Sequence, residues 1–286
     1  MAPIGAPESE SCGFVFATTG EAYTILARRA ARTLRQVMPD AQVDLFTDQV
    51  LDDPVFNQIH PLGDDFFRPK MEALRRARFV RTVYLDADVI VIADITDVFT
   101  LLGRCDIAGA HVQYRSRLIG GIDRSVPAAF PPINSGLLGR RASERTEAFM
   151  TDWERQVRDT KARYDQPLLR RLLYNSDLNL LVLPPEYNLL KLVLIEAWDE
   201  SMGAPRMIHL GRLHKGPPGD PMQPFDLAVT LGTRRSSHLR RLIAADPSVG
   251  GNGQLRVPSP TKLFVRFMAP VYHFKRLLRR LLGRPA

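Results

Sequence analysis

Cysteine is scarce in this 286-residue chain, which contains only two, Cys12 and Cys105. Two isolated thiols give neither a disulfide framework nor the paired spacing of a zinc site. This usage is compatible with a reducing cytosol. Stability therefore has to come from an apolar core, and a chain of this length with 45% hydrophobic residues is sufficient for one.

Long apolar runs are also missing. No stretch approaches the roughly 20 apolar residues that a membrane-spanning helix needs. Residues 1–10 have neither a basic start nor an apolar segment, so we expect no secretory signal. These absences predict a cytoplasmic protein without a spanning anchor.

Acidic residues stop at Asp246, although the whole chain carries a formal net charge of +8. The basic residues that follow it are Arg256, Lys262, Arg266, Lys275, Arg276, Arg279, Arg280 and Arg284. Residues 1–246 are therefore formally neutral, which argues against a body that binds nucleic acid through a basic face. We predict a main domain at 1–246, a linker at 247–257 and a basic tail at 258–286.

The tail combines large apolar side chains with Lys and Arg, as in KLFVRFMAPVYHFKRLLRRLL. Such a segment can lie in a membrane interface with its cations on anionic headgroups. Pro270 divides it into two short amphipathic pieces. The alternative is a helix packed on the main domain with a solvated basic face. We favour the membrane, which predicts a peripheral position at the inner face of the cytoplasmic membrane.

Strand-like and helix-like spacings of apolar residues alternate along the chain. Residues 12–18 predict a strand, residues 21–38 a helix and residues 42–48 a second strand. A helix beginning near Pro69 then leads to strand material at 82–92. This alternation predicts an α/β fold with a mostly parallel sheet flanked by helices. The Gly- and Pro-rich stretches at 120–136 and 216–224 predict loops.

Two aspartates interrupt an otherwise apolar strand in VYLDADVIVI, residues 83–92. A buried carboxylate is costly unless it is paired or binds a cation. At i and i+2 of an extended segment, Asp86 and Asp88 point to the same face, and ligands bind at the carboxyl ends of strands in open α/β sheets. Mg²⁺ and Mn²⁺ take carboxylate oxygens and share substrate phosphates. The alternative is a chain that turns out to solvent at Asp86.

Several stretches together resemble a known family. The run PKMEALRRARFVRTVYLDADVIVIADITDVF is similar to the core of GT-A glycosyltransferases, especially the retaining enzymes related to glycosyltransferase family eight. Four later segments agree in order: INSGLL at 133–138, DQPLLRRLL at 165–173, LPPEYNLL at 183–190 and HLGRLHKG at 209–216. The resemblance spans roughly residues 13–216 and implies a GT-A, Rossmann-like fold.

The resemblance also implies a metal site for Mn²⁺ or Mg²⁺. By this resemblance, Asp86 is expected to contact the donor ribose and the metal, Asp88 to ligate the metal, and His209 to be the third protein ligand. Lys215, six residues after His209, is expected to contact the diphosphate and offset its charge, which is a catalytic role. The family glycine usually falls three residues after the histidine, whereas Gly211 comes two residues after it. The family's loop geometry therefore does not carry over directly to this segment, although the spacing from His209 to Lys215 agrees.

Further residues match donor-binding positions of the family. These are Ala17, Thr18, Tyr23, Lys70, Asn134, Ser135, Gly136, Asp165 and Gln166, with Asp165 and Gln166 next to the anomeric carbon in catalytic positions. Three of them have simpler alternatives: Lys70 as a surface lysine, Asn134 as the start of a turn, and Asp165 as a helix N-cap.

The resemblance implies transfer of a hexose from a UDP-sugar to a hydroxyl of a glycan or lipid-linked acceptor, with retention of configuration. Such a reaction suits the synthesis of surface polysaccharide or lipopolysaccharide. Two alternatives stay open: an inactive GT-A scaffold and a nucleotidyltransferase. The latter normally has a Gly-rich basic loop after the first strand, but ATTGEAY at 17–23 has one glycine and no Lys or Arg.

Overall fold

The structure, a computed structural model, describes residues 10–63, 66–113, 125–162 and 164–253. The strands are β1 Cys12–Thr18, β2 Val43–Thr47, β3 Gln58–Pro61, β4 Arg81–Leu85, β5 Val89–Val91, β6 Ile107–His111, β7 Ile133–Arg141, β8 Leu180–Leu183 and β9 Met207–His209. The α-helices are α1 Glu21–Val37, α2 Lys70–Arg76, α3 Asp97–Leu102, α4 Glu144–Thr160, α5 Gln166–Tyr174, α6 Leu192–Ala197, α7 Leu227–Leu231 and α8 Thr233–Ala245.

Seven strands form a central sheet in the order β3-β2-β1-β4-β7-β6-β8. Neighbouring strands are parallel except at β7, which runs antiparallel to both β4 and β6. Helices cover both faces, so the interior strand β1 is apolar on both sides, with Phe14, Val15 and Phe16 fully buried. This architecture confirms the predicted α/β fold with a mostly parallel sheet.

Helix α1 shows how the first βαβ unit closes. Its buried face carries Leu34 together with the small side chains of Ala27, Ala30 and Ala31, which pack against the sheet. Gly20, at φ +82, forms the turn between β1 and α1 because this backbone conformation is open mainly to glycine. The turn leaves the start of α1 at the carboxyl end of β1.

The stretch 120–136 is only partly a loop, because β7 begins at Ile133. Asn134, Ser135 and Gly136 therefore lie on a strand, where the prediction placed a loop. The polar residues were interpreted as turn formers, but strand pairing on both sides of them overrides that local preference: Ile133 pairs with His111 of β6, and residues 137–141 pair with β4.

The Asp-x-Asp segment does not continue one strand. Strand β4 ends at Leu85, the chain turns at residues 87 and 88, and β5 pairs with β9 in a separate two-stranded sheet. The prediction of an extended segment with two side chains on one pleated face was therefore wrong. In the β5–β9 register, Val89 lies opposite His209, which brings β9 to the turn.

Beyond α8 the chain makes one short 3-10 turn at Pro247–Val249. The Asp246 carboxylate fixes this turn by accepting hydrogen bonds from the backbone N–H groups of Ser248 and Ala204 at 2.8 and 2.7 Å. Residues 254–286, which include the predicted tail and part of the predicted linker, lie outside the described residues. Within the described part of the chain, every helix is too short or too polar to cross a membrane.

Candidate functional site

Two carboxylates and one imidazole converge where β4 ends. Asp88 Oδ1 lies 3.1 Å and Asp86 Oδ2 lies 3.8 Å from His209 Nε2. One ligand atom from each of the three residues lies within 4.8 Å of the others. Asp88 is only 3% exposed, so its charge must be compensated locally.

A chain of amide groups orients the His209 ring. Its Nδ1 lies 3.2 Å from Asn188 Oδ1, and the Asn188 amide donates to Asn134 Oδ1 at 2.9 Å. The Gly136 backbone N–H also donates to Asn134 Oδ1, at 2.9 Å. With Nδ1–H donating to Asn188 Oδ1, His209 Nε2 is directed toward the two carboxylates.

Gly136 makes room for that ring. A Cβ atom at this position would lie 2.3 Å from His209 Cε1 and 2.4 Å from Nδ1, which no side chain tolerates. Its carbonyl accepts a 3.0 Å hydrogen bond from the Asp86 backbone N–H. The glycine therefore holds the first aspartate and admits the histidine at the same point.

Charge in this cluster is balanced by proximity. Burial by itself would raise the pKa of Asp88, but the charge of His209 and hydrogen bonds from His209 and His214 hold that pKa well below its usual range. Burial would lower the pKa of His209, but Asp88 and Asp86 raise it. Without a metal, the imidazolium form supplies the positive charge that the carboxylates require.

The donor set fits a hard divalent cation. Two carboxylates and a neutral imidazole suit Mn²⁺ or Mg²⁺ that also shares phosphate oxygens. The fit is strengthened by the amides behind His209, because ligating histidines are normally held by a second hydrogen bond. The ligand residues of such a cation would be Asp86, Asp88 and His209.

Lys70 is not a surface lysine, since it is only 5% exposed. Its Nζ lies 2.9 Å from Ser135 Oγ, 3.1 Å from Asp86 Oδ1 and 3.4 Å from Asp165 Oδ2. Burial would lower the pKa of Lys70, but Asp165 and Asp86 raise it, so the ammonium stays charged. It links the cation cluster to the region of Asp165.

Asp165 occupies the N-cap position of α5, but its side chain makes no capping bond. Instead its Oδ2 accepts a hydrogen bond from Ser135 Oγ at 3.1 Å. Burial would raise the pKa of Asp165, but Lys70 and Arg68 hold it below its usual range. The next residue, Gln166, has a buried side-chain oxygen with no hydrogen-bond partner among the described residues, so this oxygen is free to accept from a ligand.

The segment at 17–23 lies beside the cluster without joining it directly. Ala17 and Thr18 are buried at the end of β1, and Thr18 Oγ1 is bonded to Thr24 Oγ1 at 2.9 Å. Tyr23 is 46% exposed, and its ring packs against His214 with centroids 4.8 Å apart. Tyr23 is thus the one predicted residue of this segment that presents its side chain to the surroundings.

The residues after His209 form a short 3-10 helix at Gly211–Lys215. The whole segment 209–216, which contains this helix, is called here the 209–216 turn. It begins where the Leu210 backbone N–H donates to Asp88 O at 2.9 Å. Lys215 is exposed, and no acidic side chain in the described ranges pairs with it. Its charge is available to an anionic ligand.

Three contacting residues were absent from the predicted site. Asn188 orients His209, His214 Nε2 lies 2.7 Å from Asp88 Oδ2, and the Tyr84 hydroxyl donates to Asp86 Oδ1 at 2.8 Å. Asn188 and His214 both lie inside the segments that carried the family resemblance, so their positions were visible. Their contacts were not, because they depend on how distant segments pack.

Comparison with known proteins agrees with this geometry. Residues 76–212 match the model of a family described as nucleotide-diphospho-sugar transferase. A search among curated proteins found no match.

Among solved structures, the fold is similar to the galactosyltransferase LgtC in complex with donor and acceptor sugar analogs. That pair has a TM-score of 0.51 and 15% identity, over 80% of this chain and 95% of LgtC. It is also similar to the glycosyltransferase GlyE of Streptococcus pneumoniae TIGR4, with a TM-score of 0.52 and 18% identity, over 81% of this chain and 64% of GlyE.

Proposed function

We propose that this chain is a GT-A glycosyltransferase of the nucleotide-diphospho-sugar transferase type that transfers a hexose from a UDP-sugar to a hydroxyl of a glycan or lipid-linked acceptor. The family match over residues 76–212 and the similarity of the fold to LgtC support this proposal. The main support for this reaction is the cluster of two carboxylates and one imidazole at the carboxyl end of β4. The donor diphosphate binds there together with Mn²⁺ or Mg²⁺, held by Asp86, Asp88 and His209.

The residues around the cluster have separate tasks. When bound, the cation supplies positive charge beside the departing diphosphate. Lys215, exposed and unpaired within the described ranges, adds a second positive charge on that group. Gln166 offers its free buried oxygen to a sugar hydroxyl. Tyr23 and the backbone of Ala17 and Thr18 bind the uracil ring.

Lys70, Asn134, Ser135 and Gly136 shape the donor pocket. Lys70 contacts both Asp86 and Asp165, so it keeps the two carboxylates at a fixed separation. Ser135 and Gly136 fix Asp165 and Asp86 through a side-chain and a backbone hydrogen bond, respectively. The pocket is thus preorganised before the donor enters.

Retention of configuration is part of the proposal. The acceptor oxygen forms a bond to C1, the bond from C1 to the diphosphate oxygen breaks with its electron pair leaving on UDP, and the hydroxyl proton passes to the diphosphate. Asp165 is a poor general base because Lys70 and Ser135 already hold its Oδ2 and its pKa is lowered. This supports attack from the face of the leaving group.

Calorimetric titration with UDP tests the donor site. Wild type should bind UDP in the presence of Mn²⁺ or Mg²⁺ and lose that binding in EDTA. Asp88→Ala should bind UDP with any metal at least about 100-fold more weakly. Asp152→Ala, which removes a half-buried carboxylate on α4 that pairs with Arg155, is the matched control and should bind like wild type.

Two results would contradict this function. Absence of UDP binding by wild type with every metal would remove the donor assignment, and titration with GDP, CMP and dTDP would then show whether another nucleotide binds. A product of inverted anomeric configuration in an NMR assay would remove the retaining mechanism but leave the donor site intact.

We also propose that residues 1–246 form the catalytic domain, that 247–257 link it to the tail, and that residues 258–286 bind anionic membranes, which places the acceptor at a lipid surface. The composition of that tail supports this, because its basic and apolar residues are unaccompanied by acids. The full chain should sediment with phosphatidylglycerol vesicles and not with phosphatidylcholine vesicles. The full-length variant Arg279→Glu/Arg280→Glu should lose most of that binding. Equal sedimentation of both proteins would contradict the proposal.

A further inference from the structure

The Asp88 carboxylate has a second imidazole partner on the side away from His209. His209 Nε2 lies against Oδ1, whereas His214 Nε2 lies 2.7 Å from Oδ2. The three ligand atoms that converge within 4.8 Å come from Asp86, Asp88 and His209 and do not include His214. His214 therefore contacts a metal-binding residue from outside the cluster.

The local chain geometry sets this contact. The 209–216 turn starts at the Leu210 N–H bonded to Asp88 O, and Gly211 follows with a Cβ position 3.9 Å from Asp88 Oδ2. The tight 3-10 turn at Gly211–Lys215 then brings His214 back onto the same aspartate.

Packing on the outer side of His214 limits its freedom. Its ring lies against Tyr23, with centroids 4.8 Å apart and planes at 48°. Tyr23 belongs to the first turn of α1, so the imidazole lies between the segment at 17–23 and the cation cluster. One side chain connects the two parts of the site.

We propose that His214 is a positioning residue for the cation site, one that donates Nε2–H to Asp88 Oδ2 and so holds Oδ1 toward the cation while packing on Tyr23. This inference rests on the proposed function, because it concerns the cation that the function requires. Hydrogen-bond partners of ligating carboxylates typically contribute about 10- to 100-fold to metal affinity. The neutral imidazole tautomer is sufficient for this role.

Two variants separate the hydrogen bond from the ring. His214→Gln keeps an N–H donor at a similar reach and removes the ring, whereas His214→Phe keeps a ring for Tyr23 and removes the donor. The measurement is Mn²⁺ affinity without nucleotide, from the EPR signal of free Mn²⁺. We expect affinity about 10- to 100-fold lower in His214→Phe and within about threefold of wild type in His214→Gln.

The control is Arg212→Ala, in the same turn, whose guanidinium donates to the Thr230 carbonyl rather than to Asp88. It should bind Mn²⁺ like wild type. Thermal melts by circular dichroism identify any variant that fails to fold. If the Phe variant does not fold, the Gln variant still tests the hydrogen bond. A Gln variant that folds but binds Mn²⁺ about 10-fold more weakly than wild type would contradict the hydrogen-bond role.

Pulsed EPR of bound Mn²⁺ provides a second readout. One coupled imidazole nitrogen, from His209, is expected in wild type and in both variants. Two nitrogens in wild type would make His214 a direct ligand and overturn the positioning role. Wild-type affinity in His214→Phe would also overturn it and leave the proposed function unaffected. If wild type itself bound no Mn²⁺ with or without UDP, the cation part of the proposed function would fail, and this inference with it.

Discussion

Asp53 and Asp88 are both buried carboxylates with two nitrogen-bearing partners, but the partners differ in kind. Asp53 is 2% exposed, and Arg32 donates to both of its oxygens at 2.9 and 3.1 Å, with Arg28 as the second partner. Asp88 is as deeply buried but faces His209 and His214. The first carboxylate ties a loop to α1, whereas the second lies in the candidate site.

The difference follows from the chemistry of the partners. A guanidinium is always protonated and has no lone pair to offer a metal, so the Asp53 cluster is complete as it stands. An imidazole can give up its proton and become a ligand. The Asp88 cluster can therefore exchange a proton for a cation. Asp53 is thus suited to a structural role and Asp88 to cation binding.

The largest effect is expected from crowding the imidazole of the Asp88 cluster. Gly136→Ala places a methyl group on His209 and should lower Mn²⁺ affinity about 100-fold, because the ring must move away from both carboxylates. Isothermal calorimetry with Mn²⁺ measures this. Gly211→Ala is the matched control, since its Cβ would meet only Asp88 Oδ2 at an ordinary 3.9 Å. Unchanged affinity in Gly136→Ala would show that His209 does not ligate the cation.

A smaller effect is expected from opening the Asp53 cluster. Asp53→Asn leaves two guanidinium groups without their carboxylate and should lower the free energy of unfolding by about 2 kcal/mol. Urea denaturation measures the change, and UDP and Mn²⁺ affinity at low temperature should stay near wild type. Asp88→Asn should show the opposite pattern, with lost cation binding and a smaller change in stability. Equal patterns in the two variants would remove the distinction between the clusters.

A variant of Lys215 tests whether the candidate site has a positive charge available to a ligand, which the Asp53 cluster lacks because its arginines are already paired. Lys215→Ala should weaken UDP binding about tenfold in the presence of Mn²⁺, because one charge contact to the diphosphate is lost. Mn²⁺ binding without nucleotide should not change, and the deficit should shrink at high salt. Calorimetry at two ionic strengths measures both. A loss of Mn²⁺ affinity would instead place Lys215 in the metal site.

The smallest expected effect is the pH dependence of the stability that the Asp53 cluster contributes. Burial would raise the pKa of Asp53, but Arg32 and Arg28 lower it. A carboxylate with a lowered folded-state pKa stabilises the protein above its unfolded pKa, about 4 for aspartate, and loses that contribution as the pH falls through the folded value. The stability gap between wild type and Asp53→Asn should therefore be constant from about pH 6 to 8 and narrow below about pH 4. Urea midpoints measured across this range check it, and a gap that widens in acid would contradict the sign.

Local patterns in the sequence predicted much of the fold. Three elements formed close to their predicted bounds: the strand at 12–18, the helix that ends before Pro39 and the helix after Pro69. The spacing of apolar residues and the flanking prolines determine such elements locally. The fold followed from short motifs in a fixed order and is confirmed. The match of residues 76–212 to the nucleotide-diphospho-sugar transferase model agrees with the predicted enzyme class. The membrane tail stays a prediction.

Residue roles were harder to anticipate. The acidic pair at 86–88 was recognised, and a turn at Asp86 was considered only as the alternative to a cation site. The structure combines the two, because the chain turns after Leu85 and both carboxylates still meet His209. Lys70 had two equal interpretations, and its burial between Asp86 and Asp165 excludes the surface lysine, whereas its contact with the donor stays a prediction. Asn188 gave no local signal, because an amide that orients a ring on another strand has no characteristic neighbours in sequence.

The sequence by itself determined which chemistry the chain carries: two carboxylates after an apolar strand, a histidine followed by a lysine, and a basic tail without acids. Only the tertiary structure decided how these groups meet. Antiparallel pairing of β5 and β9 places His209 beside Asp88, the lack of a side chain at Gly136 admits the ring, and the 209–216 turn directs His214 onto the same carboxylate. The physical reason is that strand register and close packing are set by residues far apart in the chain, which local sequence patterns do not encode.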